Sequence, residues 1–157
     1  MPVVINISTK GAKPLADYLA RVKVELMPAV ERATALVADA VTEAARANID
    51  PKYPDQSTGE LARSILPVGP HTTGTSVEYI VGSSLVYSRI QELGGTITAN
   101  GNAGGDGRYL VFKTHDGAWH KVNSVTIPAK HYMAKGAADG ALGAEAIVVA
   151  AIAEVLA

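Results

Sequence analysis

From Leu15 onward apolar residues return at helical spacing, and Leu15, Leu19, Val22, Leu26, Val30, Ala33, Val37, Ala40 and Ala44 fall on one stripe. No other stretch constrains the fold as strongly. A helix reaching from Leu15 to the Ile49-Asp50-Pro51 stop is about 50 Å long if straight, and its stripe needs a matching surface along that length. Pro28 lies inside it. Proline lacks the backbone donor and crowds the preceding turn, so a kink or break is expected near Glu25 to Met27, with the helix resuming from Ala29. Such a stripe is buried in the chain's own core or partly against a neighbouring subunit.

After that helix the period changes. Asp50 to Gly59 reads as a surface loop, and Leu61 to Ile65 as an apolar connector running into Pro67. Val77, Tyr79 and Val81 alternate with Glu78 and Ile80, which predicts a strand over Ser76 to Gly82. Ser83-Ser84 offers cap hydroxyls to a short helix that shows Tyr87, Ile90 and Gln91 on one face and ends at Gly94-Gly95. Thr96 to Thr98 is extended. The glycines at 101, 104, 105 and 107 make Ala99 to Arg108 a mobile arm. Tyr109 to Thr114 and Ala118 to Val122 flank the turn sequence His115-Asp116-Gly117 and predict a hairpin, and Val125 and Ile127 belong to another strand, ended by Pro128. A last helix begins between Tyr132 and Gly143 and buries Ile147, Val148, Ala151, Ile152 and Val155. Val3, Ile5 and Ile7 suggest one more strand at the start. The expectation is an α+β fold. A long N-terminal helix kinked near Pro28 and a C-terminal helix pack on a mostly antiparallel sheet, in one structural domain over 1–157 with a flexible glycine-rich loop at 99–108.

Composition narrows the function classes. The chain has 157 residues, 48% of them hydrophobic, which suits one domain with a core of small aliphatic groups. Fourteen Lys and Arg stand against 15 Asp and Glu, so there is no overall positive field to draw nucleic acid or anionic lipid. The absence of cysteine excludes disulfides, zinc-thiolate sites and cysteine nucleophiles. Met1 to Ser8 does not read as a secretory signal, and Ala141 to Ala157 is too short and too acidic, with Glu145 and Glu154, for a membrane span.

An enzyme needs convergent groups, and the pattern supplies few. His71, His115, His120 and His131 fit no metal-ligand spacing, although His115 and His120 lie on facing arms of the hairpin. The glycine loop lacks the Lys and Ser/Thr of a phosphate-binding loop, and no G-x-S-x-G elbow occurs. Arg63, Arg89, Arg108, Lys113, Lys121, Lys130 and Lys135 form a basic patch only if folding gathers them. Neither a metal nor a cofactor is expected. A small hydrolase and a small DNA-binding module are the competing classes, marked by a concave pocket with perturbed acids or imidazoles in one case and by salt-dependent DNA affinity in the other.

Three segments carry a resemblance by their order. They are Ser57-Thr58-Gly59-Glu60-Leu61-Ala62-Arg63-Ser64-Ile65, Tyr87-Ser88-Arg89-Ile90-Gln91-Glu92-Leu93-Gly94-Gly95, and Ile127-Pro128-Ala129-Lys130-His131-Tyr132-Met133. Together with the long first helix they resemble the virion-morphogenesis and tail-completion proteins of tailed bacteriophages, over roughly residues 15 to 157. The family's pattern has arginine where Lys130 stands, and a lysine makes no planar bidentate contact. The resemblance implies a non-catalytic virion protein, made in the host cytoplasm and assembled as a homo-oligomeric ring, typically a hexamer, at the neck where head and tail join. Head-tail connector and tail tube proteins are then its neighbours, DNA passes through the ring without sequence-specific recognition, and no membrane is involved. A tail terminator ring capping the tail tube is the alternative. Arg89, Glu92, Gly94, Gly95, Gly101, Gly104, Gly105, Arg108, Pro128 and Lys130 are the candidate subunit or partner contacts, with Arg89 or Glu92 acting by charge pairing.

Overall fold

The computed structural model describes residues 12–49, 59–99, 109–114 and 116–157. The expected strand at Val3 to Ile7 and all of the glycine-rich arm except Ala99 lie outside them. Helix α1 spans Ala12–Ala47 without interruption, so the break expected near Glu25 to Met27 is absent. The helix holds through Pro28 because its next turns are anchored: Ala29 and Ala33 are buried, and the C-terminal helix lies alongside at this level, where Glu154 and Val155 line one hollow with Val24 and Pro28.

That C-terminal segment is α4 (Tyr132–Gly140), one 3-10 turn (Ala141–Gly143) and α5 (Ala144–Leu156), running back antiparallel to α1. Gly136 meets α1 at Ala45 and Gly140 meets it at Val41, and Tyr18 Oη donates to the Leu156 carbonyl at 3.0 Å. The expected apolar side of α5 is the observed one, since Val155 is buried and Ile147, Val148, Ala151 and Ile152 are half-buried.

The stripe on α1 is buried differently from the expectation. Ala29, Ala33, Ala38, Thr42 and Ala45 are buried, while Leu15, Leu19 and Ala40 are exposed. The reason is that α1 packs on two sides, against α4 and α5 on one and against a β-hairpin on the other. Two contact lines replace one stripe, and small residues fill both. The buried Thr42 hydroxyl donates to the Ala38 carbonyl at 2.8 Å, which satisfies it within the helix.

The β-hairpin consists of β1 (Ile65–Thr73) and β2 (Ser76–Ser83), with a register irregularity between Val68 and His71. β1 begins at Ile65, where the expected connector ends, and runs through a stretch in which no strand was expected, because Pro67, Gly69 and Pro70 argue in sequence against one. The strand exists because it is an edge strand and Pro70 falls in the irregularity, where a missing N–H costs no ladder bond. Glu60–Ser64 form a short helix, α2, just before it. Helix α3 (Ser88–Leu93) follows β2, but Ser83 does not cap it: Ser83 Oγ accepts the Leu85 N–H at 3.2 Å and closes a turn instead.

No single sheet forms among the described residues. β3 (Gly95–Thr98) pairs antiparallel with β6 (Ser124–Ile127), and β4 (Leu110–Lys113) with β5 (Trp119–Val122), the latter being the predicted hairpin. The two ladders lie end to end, because the Ala99 N–H donates to the Asn123 carbonyl at 2.9 Å. They make one two-stranded ribbon in which β5 and β6 are one arm. β3 and β4 flank residues 100–108 in the sequence. The innermost core is Ala45, Ile65 and Tyr132, with Ile49, Leu61, Val81 and Met133 packed around it.

Candidate functional site: the junction of the three motifs

The three sequence motifs meet around that core. In the first, Gly59 takes the left-handed conformation (φ 66°) ahead of α2, and Ile65 is fully buried. Arg46, near the end of α1, holds this segment in place: its Nε donates to the Ala62 carbonyl at 3.1 Å and its Nη2 to the Ile65 carbonyl at 2.8 Å, while Nη1 pairs with Glu43 at 2.6 Å. Ser64 and Ser83 join their hydroxyls at 2.7 Å and tie α2 to the end of β2.

The second and third motifs are bonded to each other. Lys130 N–H donates to the Gln91 carbonyl at 3.0 Å and His131 N–H to the Glu92 carbonyl at 3.1 Å. The Glu92 carboxylate accepts the Met133 N–H at 2.8 Å and the Ala134 N–H at 3.1 Å, which satisfies two otherwise unpaired donors in the first turn of α4 and sets a negative charge at the positive end of that helix. Gly94 has φ 69°, and a Cβ there would fall 2.7 Å from Ala129 N, so only glycine lets the two segments approach. Gly95 pairs with Ile127 at the start of the ribbon. Tyr132, buried beside Ile65, donates its hydroxyl to the Ser88 carbonyl at 3.3 Å. Burial raises the Tyr132 phenol above its ordinary pKa, the nearby Glu92 carboxylate adds to this, and the Ser88 bond opposes it.

The candidate contact residues thus divide. Glu92 is engaged within the chain, Gly94 and Gly95 shape backbone, and Lys130 acts through its N–H, so the missing arginine fork leaves this junction intact. Arg89 is exposed and borders a shallow hollow of about 330 Å³ with Val86, Ile90, Leu93 and Gly94. Pro128 is exposed too. Gly101, Gly104, Gly105 and Arg108 lie outside the described residues. Among the basic residues, Lys113 and Lys121 share one face of the β4–β5 hairpin, while Arg63, Arg89 and Lys135 sit on three separate helices.

Sequence reasoning missed Arg46 and the pair Gly136 and Gly140. The local pair with Glu43 is an ordinary helix-surface spacing, and the carbonyls that give Arg46 its role are 16 and 19 positions away. The glycine pair had a readable signal, two glycines four apart within a helix, the spacing that lets helix backbones approach.

At the tip of the hairpin Asp116 accepts the Thr114 hydroxyl at 2.6 Å and the Ala118 N–H at 3.2 Å, and His120 Nε2 lies 3.0 Å from the same hydroxyl. The Thr114 and Ala118 bonds hold the Asp116 carboxyl below its ordinary pKa. This fastens a turn: the hydroxyl is directed at the carboxylate, and all three side chains lie on open surface or near it. Among the described residues no three His, Asp or Glu side chains are placed to share a metal ion, and no helix is long and apolar enough to cross a membrane. No family model, curated protein or solved structure matches the chain.

Proposed function

We propose that this chain is a structural, non-catalytic virion subunit of a tailed bacteriophage, working in a ring of identical copies, six by the resemblance, at the neck between head and tail. Its neighbours are further copies of itself and the head-tail connector and tail tube proteins, with DNA passing through unread. One observation carries the assembly part of this reading. Among the described residues the buried apolar side chains are Ala29, Ala33, Ala38, Ala45, Ile65, Tyr132 and Val155, four of them alanines, whereas seventeen large apolar residues are exposed. The outward set includes Val86 at 99%, Leu142 at 87% and Trp119 at 71%, in the turn before α3, in the 3-10 turn and on β5. Scattered apolar exposure is ordinary, but so thin a core beside so much of it suits a subunit completed by its neighbours. The head-tail assignment is supported by the order of the three motifs and by their meeting at one junction.

The test is native mass spectrometry of the purified chain across a range of concentrations, with electron micrographs of the same samples and labelling of intact virions. Closed rings and label at the neck are expected. A monomer at every concentration, or salt-dependent DNA binding by the single chain, would sink the reading in favour of a small binding module.

A further inference from the structure

We propose that neighbouring copies of this chain join head to tail, the outer face of α5 in one copy seating Leu142 and Val149 in the hollow beside α3 in the next, where Glu145 meets Arg89. This rests on the ring reading and supplies its interface. α5 has no polar side chain other than those of Glu145 and Glu154. A helix apolar on every side belongs inside a core, yet α1 covers one side of α5 and the other lies open. On the open side Leu142, in the 3-10 turn, is 87% exposed and Val149 58%. Glu145 and Ala146 are exposed between them, and the spacing sets Leu142, Glu145 and Val149 along one face. Two apolar knobs thus flank one carboxylate.

The hollow beside α3 has the complementary make-up. Its lining is Val86, Ile90, Leu93 and Gly94 with Arg89 at the border, and Val86 and Leu93 are largely exposed. An apolar helix face laid into an apolar hollow, fixed by a single charge pair, is a common mode of recognition. The chain's own α5 does not reach it. α4 starts at Tyr132, whose hydroxyl bonds to Ser88 of α3, and leads away along α1, so that Val149 lies roughly 25 Å further on at about 1.5 Å per residue.

Charge selects the partner. α5 carries acids alone, so packing it on its own copy brings carboxylates together with no base on the helix to relieve them, and joining two α3 hollows brings arginines together. The hollow beside Pro28 mixes Glu25 and Glu154 with Arg32, and the one over Ile97, Phe112 and Val125 has no charged lining residue. The α3 hollow offers a cation without a competing acid, because Glu92 is committed to the N–H groups of α4. Among the described residues no ion pair engages Arg89 or Glu145. The two surfaces differ, so the contact repeats from copy to copy and closes into a ring when the rotation fits.

The experiment uses the full chain. Wild type, Arg89→Glu, Glu145→Lys, the double swap and an equal mixture of the two single variants are followed by native mass spectrometry over concentration, with circular dichroism as the check on folding. Each single variant sets like charges at every contact and is expected to raise the concentration of half-assembly by roughly two- to thirtyfold. The double swap restores opposite charges, and so does the mixture when the two variants alternate around the ring, so both are expected to assemble near the wild-type concentration. Leu142→Ala tests the contact without touching charge. It shortens an exposed side chain, so the fold is kept, and it is expected to raise the concentration of half-assembly by roughly five- to a hundredfold. A wild-type chain that never leaves the monomer overturns the ring reading and the pairing with it. Wild-type rings whose single-charge variants assemble as readily as the double swap, or whose Leu142→Ala variant assembles like wild type, overturn the pairing alone.

Discussion

Replacing Gly136 by alanine puts a number on the helix packing that holds the chain together. The new Cβ would stand 2.5 Å from Ala45 N and 2.6 Å from Ala45 Cβ, where ordinary contacts between such atoms are about 3.5–4 Å. The obstacle is backbone, which cannot rotate aside, so α4 must retreat from α1 by roughly 1 Å or the local helices must distort. Overpacking of this kind costs about 1–3 kcal/mol, here toward the upper end, while the better helix propensity of alanine returns about 1 kcal/mol. The clash wins, with a net loss of about 1–2 kcal/mol and a fall in Tm of roughly 2–8 °C for a chain of this size. Gly143→Ala is the matched control: nothing lies within 4 Å of the place its methyl group would take, and it is expected to leave stability unchanged or raise it by up to about 1 kcal/mol. Urea unfolding followed by far-ultraviolet circular dichroism, at one fixed protein concentration, compares the three proteins. A Gly136→Ala variant as stable as wild type, or a Gly143→Ala variant losing as much, would refute the close-approach argument.

Glu92→Gln is expected to cost about 1–2 kcal/mol in the same unfolding assay, because the amide keeps one acceptor and loses the charge at the start of α4, whereas Arg89→Glu is expected to stay within about 0.5 kcal/mol of wild type. Equal losses at the two positions would contradict the division of roles drawn at the junction. The Asp116 turn should respond to acid. Its carboxyl sits below the ordinary value of 3.8 when folded, so its contribution is present above that value and is lost as pH falls through the depressed one. Nuclear magnetic resonance should show the Thr114 and Ala118 amides shifting in that acid range in wild type, and not in Asp116→Asn.

The long first helix, the β4–β5 hairpin and the apolar side of α5 were legible because each is announced by local signals: a 3.6-residue period, a turn sequence between two apolar runs, and a clean set of spaced aliphatics. What stayed hidden depended on partners. The buried face of α1 differs from its most apolar stripe because two layers press on it, and the smaller alanines, not Leu15 and Leu19, sit where those layers are closest. β1 was hidden by prolines that an edge strand tolerates. At the junction, the motif residues could be picked out from their order, but not their work. Glu92 reads as a surface acid until α4, some forty positions later, brings its first-turn N–H groups to it.

The antiparallel return of the C-terminal helices also bears on the order in which the chain can fold. Asn48 meets Asp139 across 91 positions and Tyr18 meets Leu156 across 138. During synthesis α1 therefore emerges long before the helices that cover one of its sides, and of the described sheet elements the β1–β2 hairpin is the one on hand to pack against it. Contacts this distant in sequence demand closure of a long loop before they return any energy, which slows folding relative to a bundle of neighbouring helices. An unfinished chain exposes the tight alanine seam of α1, and the surface on which α4 and α5 will lie becomes protected only when the last helix arrives.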